Sequence, residues 1–405
     1  MTKPLEGVRV VELASYVFVP AAAAILGDWG ADVIKVEHPR FGDPARHTAA
    51  WGVPAKVNGV SHLWEAVNRG KRTVSLDIAR PEGRELLMRL VEGSDVFLTN
   101  FLPAVRRKLR IEPDDVMARN PRVVYGRGSA NGPSGAEAER GGFDGVTYWG
   151  RAGAAIGVTP PGSDYPLSMP GPGFGDLQSG SALAGAIGTA LFQRERTGRG
   201  TVVDVSLLSA GLWAMGMAIS GTSVLDVEDL PRQHHLAANN PLVNQYRTKD
   251  GHFVALGFMQ ADRYWPEFCV LVDKVDWLVD ERFTDSEARA RNAAACIAML
   301  DELFAERTLD EWCTLLSQQS GQWDVLRSPG ELQHDQQARA NGYVQRIEHG
   351  DGGTVVLVPA PAQFDQEAAV LGKAPRHGAD TDSVLGTLGV DRATIARLRY
   401  EGVIG

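Results

Sequence analysis

An open, doubly wound parallel α/β sheet is the fold class this chain predicts, and two observations carry it. Strand-like and helix-like runs alternate from Val8 to Gly126, the pattern of a parallel sheet covered by helices. Apolar residues make up 44% of the chain and charged residues 22%, as in an ordinary globular protein. At 405 residues the chain is too long for one simple core, and it divides into two domains or one large domain with an insertion.

The elements follow in order. Val8 to Leu13 reads as a buried strand, the alanine-rich stretch Pro20 to Gly30 as a short helix, and Ala31 to Glu37 as a second strand; together they form a βαβ unit. A third strand spans Arg72 to Asp77. Pro81, favoured in a first helical turn, starts a helix that runs to about Glu92. Ser94 to Asn100 and Arg122 to Gly126 supply the fourth and fifth strands. The glycine- and proline-rich stretch Gly128 to Pro172 is predicted to be loop, which suits an active-site region better than a core. From Leu177 to Arg196 an apolar stripe through Leu183, Ile187, Ala190 and Leu191 predicts a long helix. The Thr-Gly-Arg-Gly turn at 197–200 ends it, and a strand follows at Val202 to Ser206. Between Leu225 and Leu242 the pattern gives way to polar sequence, read as a crossing between domains. Tyr246 to Leu256 carries a hairpin signal, and helical segments rich in Trp and Leu reach about Ser317. Val355 to Val358 is strand-like again, and a small helix closes near Thr381 to Leu388.

Composition and missing motifs remove several function classes. No run of about eighteen uncharged apolar residues offers a membrane span, and the start, Met-Thr-Lys-Pro-Leu-Glu-Gly, is read as no signal peptide. Cys269, Cys296 and Cys313 have neither metal nor redox spacing, which fits a reducing cytoplasm. A net charge of −9 argues against a nucleic-acid partner. The turn after the first strand, Ala14 to Pro20, has no G-x-G-x-x-G, so NAD or FAD has no diphosphate cradle; no P-loop and no G-x-S-x-G elbow occurs either. His234-His235 is the only adjacent histidine pair, and adjacent residues point in different directions, so a solvated loop pair is expected and no metal site.

Asp176 lies in Gly171-Pro-Gly-Phe-Gly-Asp-Leu-Gln-Ser-Gly180, a glycine-rich turn that opens into the long helix. Glycines allow close backbone approach and positive φ, and the helix turns its unpaired N–H groups toward this carboxylate. Taken alone, Asp176 is either an N-cap or an exposed, ionised nucleophile. Basic residues gather at Lys71-Arg72 and at Arg106 to Arg110. These are either solvated faces or partners for the phosphates of an anionic cofactor, and both clusters flank strands of the same sheet.

Further runs decide between these readings. Pro4-Leu-Glu-Gly-Val-Arg-Val-Val-Glu-Leu13, Leu26 to Pro39, Gly70 to Ile78, Asn100-Phe101, Gly175-Asp-Leu-Gln-Ser-Gly180 and Thr197-Gly-Arg-Gly200 stand in order along nearly the whole chain. In them the chain resembles the family III CoA-transferases, the CaiB/BaiF group that includes formyl-CoA transferase, carnitine CoA-transferase and alpha-methylacyl-CoA racemase. The resemblance implies a large Rossmann-like domain built from both chain ends, with a smaller inserted α+β domain and an interlocked homodimer. On this sequence the parts are 1–224, the inserted 225–335 and the returning 336–405.

The resemblance also implies a chemistry. Asp176 is the catalytic carboxylate: it attacks a donor acyl-CoA, gives an acyl–aspartyl anhydride and then an aspartyl-CoA thioester, and passes CoA to an acceptor acid. Nearby glycine N–H groups stabilise the oxyanions. Coenzyme A is then a substrate and no tightly bound cofactor is expected. The positions matching the family's CoA contacts are Tyr16, Val17, His38, Leu76, Asn100, Phe101, Lys108 and Leu109; Lys71 and Arg72 match its basic strand entrance, and Asp144 an acidic residue beside the site. Departures narrow the reading. Phe143 stands where the racemase branch has a histidine base, and phenylalanine moves no proton. Val17 and His38 replace the glutamine and arginine of formyl-CoA transferase, and no tetraglycine lid follows Leu236, which counts against oxalate or formate. The run Gly321 to Pro329, with the bulky Trp323, stands in place of a more usual glycine–proline-containing loop, and Trp323 either lines an acyl pocket or packs. The expected function is acyl-CoA:carboxylate CoA transfer; the alternatives are an acyl-CoA racemase or isomerase, and a CoA-binding protein without catalysis.

Overall fold

In a computed structural model of the chain, six strands form one all-parallel sheet: β1 (Arg9–Leu13), β2 (Asp32–Glu37), β3 (Arg72–Ser75), β4 (Val96–Thr99), β5 (Val124–Ser129) and β6 (Val202–Ser206), in the order β3-β2-β1-β4-β5-β6. The structure describes residues 3–232, 234–349 and 353–405. Met1 and Thr2, within the start read as no signal peptide, and 233 and 350–352, within the expected inserted and returning parts, lie outside the described residues. The chain builds outward from β1 to β3 and then returns to β4 on the other side. The carboxyl ends of β1 and β4 therefore flank the point where the strand order reverses, which is where open α/β sheets leave a ligand crevice.

The short apolar runs of these strands are continuous because both faces of the sheet are covered. Val11, Leu13, Ile34, Val36, Phe97 and Tyr125 point into one layer, while Val10, Val33, Val96, Leu98 and Val124 point into the other. The second layer holds α1 (Phe18–Asp28) and the first holds α2 (Pro81–Glu92), whose start at Pro81 agrees with the sequence. After β4 comes α3 (Pro103–Leu109). The long striped helix is α4 (Phe174–Thr197), and Leu183, Ile187, Ala190 and Leu191 are all buried on α1's layer. Two further helices, α5 (Leu207–Ala214) and α6 (Gly216–Leu225), follow β6. Sequence periodicity does not assign these two, because no charged residue marks a solvent face along their run.

The chain divides into two compact units, one of Met1–Gly157, Pro166–Leu230 and Gln333–Gly405, the other of Val158–Tyr165 and Pro231–Leu332. The second unit contains the antiparallel sheet β7 (Val243–Arg247), β8 (Phe253–Gly257) and β9 (Trp323–Val325), with α7 (Ala261–Leu271), α8 (Ala293–Phe304) and α9 (Leu309–Leu316). Its core is aromatic: Phe304 stacks on Tyr246 at 5.0 Å and meets Trp312 at 4.4 Å. Trp323 is opposite Leu256 in the ladder and packs on this core. In the first unit, β10 (Gln345–Glu348) and β11 (Thr354–Leu357) form a separate antiparallel ribbon. The last helices, α10 (Thr381–Thr387) and α11 (Arg392–Tyr400), bury Val384, Leu385, Ile395 and Leu398 against the sheet. Among the described residues no single helix is long and apolar enough to cross a membrane.

Candidate active site

Asp176 is placed by the packing of α4 on α1. A Cβ added at Gly180 would lie 2.9 Å from both the Ala21 Cβ and the Phe18 carbonyl, so only glycine lets the two helices approach this closely. One turn earlier, a Cβ at Gly175 would lie 2.5 Å from the Tyr148 ring. The start of α4 is thereby drawn in against α1 and covered by aromatic rings. Gly173, at φ +73°, is the N-cap residue, and Asp176 stands in the first turn after it. The N-cap reading of Asp176 is thus corrected, and so is the expected exposure: the residue is only 9% exposed. Burial first, and the neighbouring Asp144 second, push its carboxyl from 3.8 up to about 7, and no hydrogen bond from a described residue offsets them.

Asp144 is itself buried and braces this first turn. One of its carboxylate oxygens accepts the Gly145 amide at 2.8 Å and the other accepts the Gly175 amide at 3.2 Å. The first bond of α4 runs from the Leu177 amide to the Gly173 carbonyl at 2.9 Å, so the amides of Phe174 and Asp176 precede the helical ladder. Asp144 thus sits behind Asp176 and holds the neighbouring backbone; it does not line the cavity in front.

That cavity, of about 920 Å³, opens at the reversal point of the strand order. Tyr16 from the β1–α1 turn, Asn100 and Phe101 from the end of β4, Phe143 and Asp176 all line it. Asn100 grips the turn twice: its side-chain amide donates to the Ser15 carbonyl at 2.7 Å and its oxygen accepts the Ser15 amide at 3.0 Å. Tyr16 has a left-handed φ of 66°, and its ring meets Phe143 edge-on at 5.3 Å. A smaller cavity of about 170 Å³ is lined by His38, Leu76, Phe101 and Leu109. Phe101 belongs to both cavities. The His38 ring stacks near Phe41 at 4.7 Å and lies 4.0 Å from Asp77.

Other expected residues stand elsewhere. Val17 flanks the site, since a Cβ on Gly173 would lie 3.2 Å from its methyl. Lys71 is buried and donates to Glu12 at 2.6 Å, to the Pro20 carbonyl at 2.9 Å and to Asn68 at 3.0 Å. Burial pulls its ammonium down to about 8, so no free cation backs the phosphate role expected of it. Arg72 pairs with Asp32 across the neighbouring strand, with Nε 2.9 Å from the carboxylate. Lys108 is exposed on α3 and lines neither cavity. Instead Arg106 and Arg107 of that basic run reach the large cavity. Arg106 is buried and donates to the Phe101 carbonyl at 2.7 Å, which fixes Phe101, while Arg107 pairs with Glu139 at 2.8 Å. Helical phase was the available signal: Arg106 and Arg107 stand three and four residues after Pro103, which starts α3, on one face with it.

In the second unit, His234 of the pair read as a solvated loop is exposed, whereas His235 is half-buried and partnered. The His235 ring has Asp301 carboxylate oxygens at 2.9 and 3.0 Å on one side and the Asn244 oxygen at 3.2 Å on the other.

The chain matches the family described as CoA-transferase family III over residues 5–381. It is 31% identical over 401 residues to (R)-2-hydroxy-4-methylpentanoate CoA-transferase of Clostridioides difficile, covering 99% of both chains. It is 26% identical to cinnamoyl-CoA:phenyllactate CoA-transferase of Clostridium sporogenes, over 99% of this chain and 97% of that one. Among solved structures, a CAIB/BAIF family protein from Brucella suis superposes with a TM-score of 0.83 at 28% identity, over 96% of this chain and all of that one.

Proposed function

The chain belongs to CoA-transferase family III, and from that premise we propose that it moves CoA from an acyl-CoA donor to a carboxylic acid acceptor through Asp176. The observation that carries this reading is a buried carboxylate, raised to about 7, on the wall of a cavity large enough for a sizeable ligand. Near neutral pH a substantial share of Asp176 is ionised, and its raised basicity makes the carboxylate a better nucleophile than an exposed aspartate.

In the proposed sequence an Asp176 oxygen attacks the donor thioester carbonyl. The C–S bond breaks, giving the acyl–aspartyl anhydride and CoA thiolate. The thiolate then attacks the aspartyl carbonyl; the C–O bond breaks, and the donor acid leaves as its carboxylate. The acceptor carboxylate next attacks the aspartyl-CoA thioester, and returning thiolate converts the resulting anhydride into the new acyl-CoA and free Asp176. No net proton or electron is exchanged, so one carboxylate suffices. The unladdered amides at the start of α4 are the groups available to each oxyanion. Phe143 supports transfer over two-base racemisation, because the aromatic residue beside Tyr16 in this cavity has no proton to move.

The substrates are proposed as acyl-CoA and organic acids; branched and aryl 2-hydroxy acids, named for the two curated relatives, are the first to test. We also propose a homodimer, because Trp213, Met217 and Val224 of α5 and α6 are 88%, 89% and 84% exposed in the single chain. A cytoplasmic setting is part of the same reading. The deciding experiment incubates the protein with a panel of acyl-CoA donors and acids and follows CoA exchange by mass spectrometry. Transfer with a mass shift of one CoA on the Asp176 peptide is expected, and Asp176→Ala should abolish both. Full transfer by folded Asp176→Ala would sink the reading.

A further inference from the structure

A chain of buried charges lies beneath the β1–α1 turn, and the transfer chemistry makes no use of it. Glu12, in the sheet's inner strand β1, is fully buried. One of its oxygens accepts Lys35 Nζ at 2.6 Å and the other accepts Lys71 Nζ at 2.6 Å. Lys35 also lies 2.8 Å from the Asp43 carboxylate and donates to the Ala14 carbonyl at 2.8 Å. Burial works against the charge on Lys35, but Asp43, Glu12 and Glu37 outweigh it and hold the ammonium above the ordinary lysine range.

Asp43, at one end of this chain, is among the residues lining the smaller cavity. It is 1% exposed, and a single carboxylate oxygen accepts the amides of Tyr16 at 3.0 Å and Ala45 at 2.9 Å. Its own amide donates to Glu37 at 3.0 Å, so the carboxylate has little freedom to shift. Tyr16 is the residue with φ +66°, a left-handed conformation disfavoured for any residue with a Cβ. Such strain persists only where the surroundings over-determine it, and it gathers at ligand sites. Two side chains over-determine it here. Asn100 fixes Ser15 through both backbone groups, and Asp43 fixes the Tyr16 amide.

We infer that Asp43 is a positioning residue for donor binding: by accepting the Tyr16 amide it holds Tyr16 in the left-handed conformation, and so sets the cavity wall on which the acyl-CoA seats. Asp43 touches no reacting atom in this scheme, and its ligand rests on the CoA-transferase reading above. The Lys35 pair anchors the carboxylate, and Glu12 with Lys71 anchors Lys35.

Removing Asp43 alone would leave Lys35 short of a counterion in the core. The comparison therefore uses two charge-balanced variants, Lys35→Met with Asp43→Ala and Lys35→Met with Asp43→Asn. Both keep the Glu12–Lys71 pair, and they differ in whether an oxygen at position 43 accepts the Tyr16 and Ala45 amides; the Tyr16→Gly step separates the first from the second. The alanine form is expected to show a KM for the acyl-CoA donor about tenfold above the asparagine form, the size a lost buried hydrogen bond produces, with kcat within about threefold. Adding Tyr16→Gly to both should erase that difference, because glycine adopts the left-handed conformation without a Cβ penalty. Equal KM in the first pair, or a tenfold difference that survives Tyr16→Gly, would overturn the inference. Should the wild type neither bind nor transfer CoA, the proposed function fails. Hydrogen exchange of the Tyr16 amide then decides the inference: faster exchange in the alanine form supports it, and equal exchange refutes it.

Discussion

Asp176 is the residue at which sequence and structure differ most instructively. Its position in the glycine-rich approach to a helix was legible, and its protonation was not. An isolated helix start favours an ionised carboxylate, but burial and Asp144 outweigh that here and raise the carboxyl to about 7. This has a stability consequence with a definite sign. Because the folded value lies above the unfolded one, the folded state holds more protons between about pH 4 and pH 7, so stability falls as pH rises across that window. The full penalty applies above pH 7. Asp176→Asn removes it, so the variant should be more stable than wild type by about 2–4 kcal/mol at pH 8, with the gain vanishing near pH 4. Denaturant titrations at the two pH values check this, and a gain independent of pH would contradict it. For the same reason kcat/KM of the wild type should fall on the acid side with a midpoint near the carboxyl's value of about 7. A pH–rate profile with no acid limb above pH 5 would contradict that.

At the scale of elements, helices and strands with clear punctuation were legible and those without it were not. Pro81 marked α2, and the Thr-Gly-Arg-Gly turn marked the end of α4 to within a residue. The helices α5 and α6 went unassigned because Leu207 to Leu225 carries no charged residue to define a face. The glycine-rich stretch after Gly128, read as loop, contains a wide helical segment at Gly145–Arg151 that supports Tyr148. The α1–α4 contact gives the sharpest test at this scale. Gly180→Ala places a Cβ 2.9 Å from the backbone oxygen of Phe18, so the helices must part. A loss of about 1–3 kcal/mol is expected, together with at least a tenfold fall in transfer activity as Asp176 moves with α4. Thermal unfolding and a steady-state assay measure both. By contrast Gly185→Ala, where nothing lies within 4 Å of the added Cβ, should stabilise α4 by about 0.5–1 kcal/mol.

For the whole molecule, the exposed apolar faces of α5 and α6 make the single chain an incomplete object on the reading proposed above. Sedimentation should find a dimer, and Trp213→Glu should shift it toward monomer; a monomeric wild type would remove the dimer from the proposal. The sequence by itself determined the alternation that builds the parallel sheet, the long helix behind Asp176 and the family to which the chain belongs. These rest on short-range signals: apolar periodicity, proline and glycine at helix ends, and motifs read within a few residues. Only the tertiary structure decided which charged groups are free. Lys71 looked available for phosphate until the fold set it against Glu12, 59 residues away, and the part Asp144 plays beside the site, accepting the Gly175 amide 31 residues on, shows only in the fold. Charge state and exposure depend on partners that chain order does not bring together, and burial fixes their strength. For that reason the site's location was readable in the sequence, while the ionisation of Asp176 and the anchoring of Tyr16 belong to the fold.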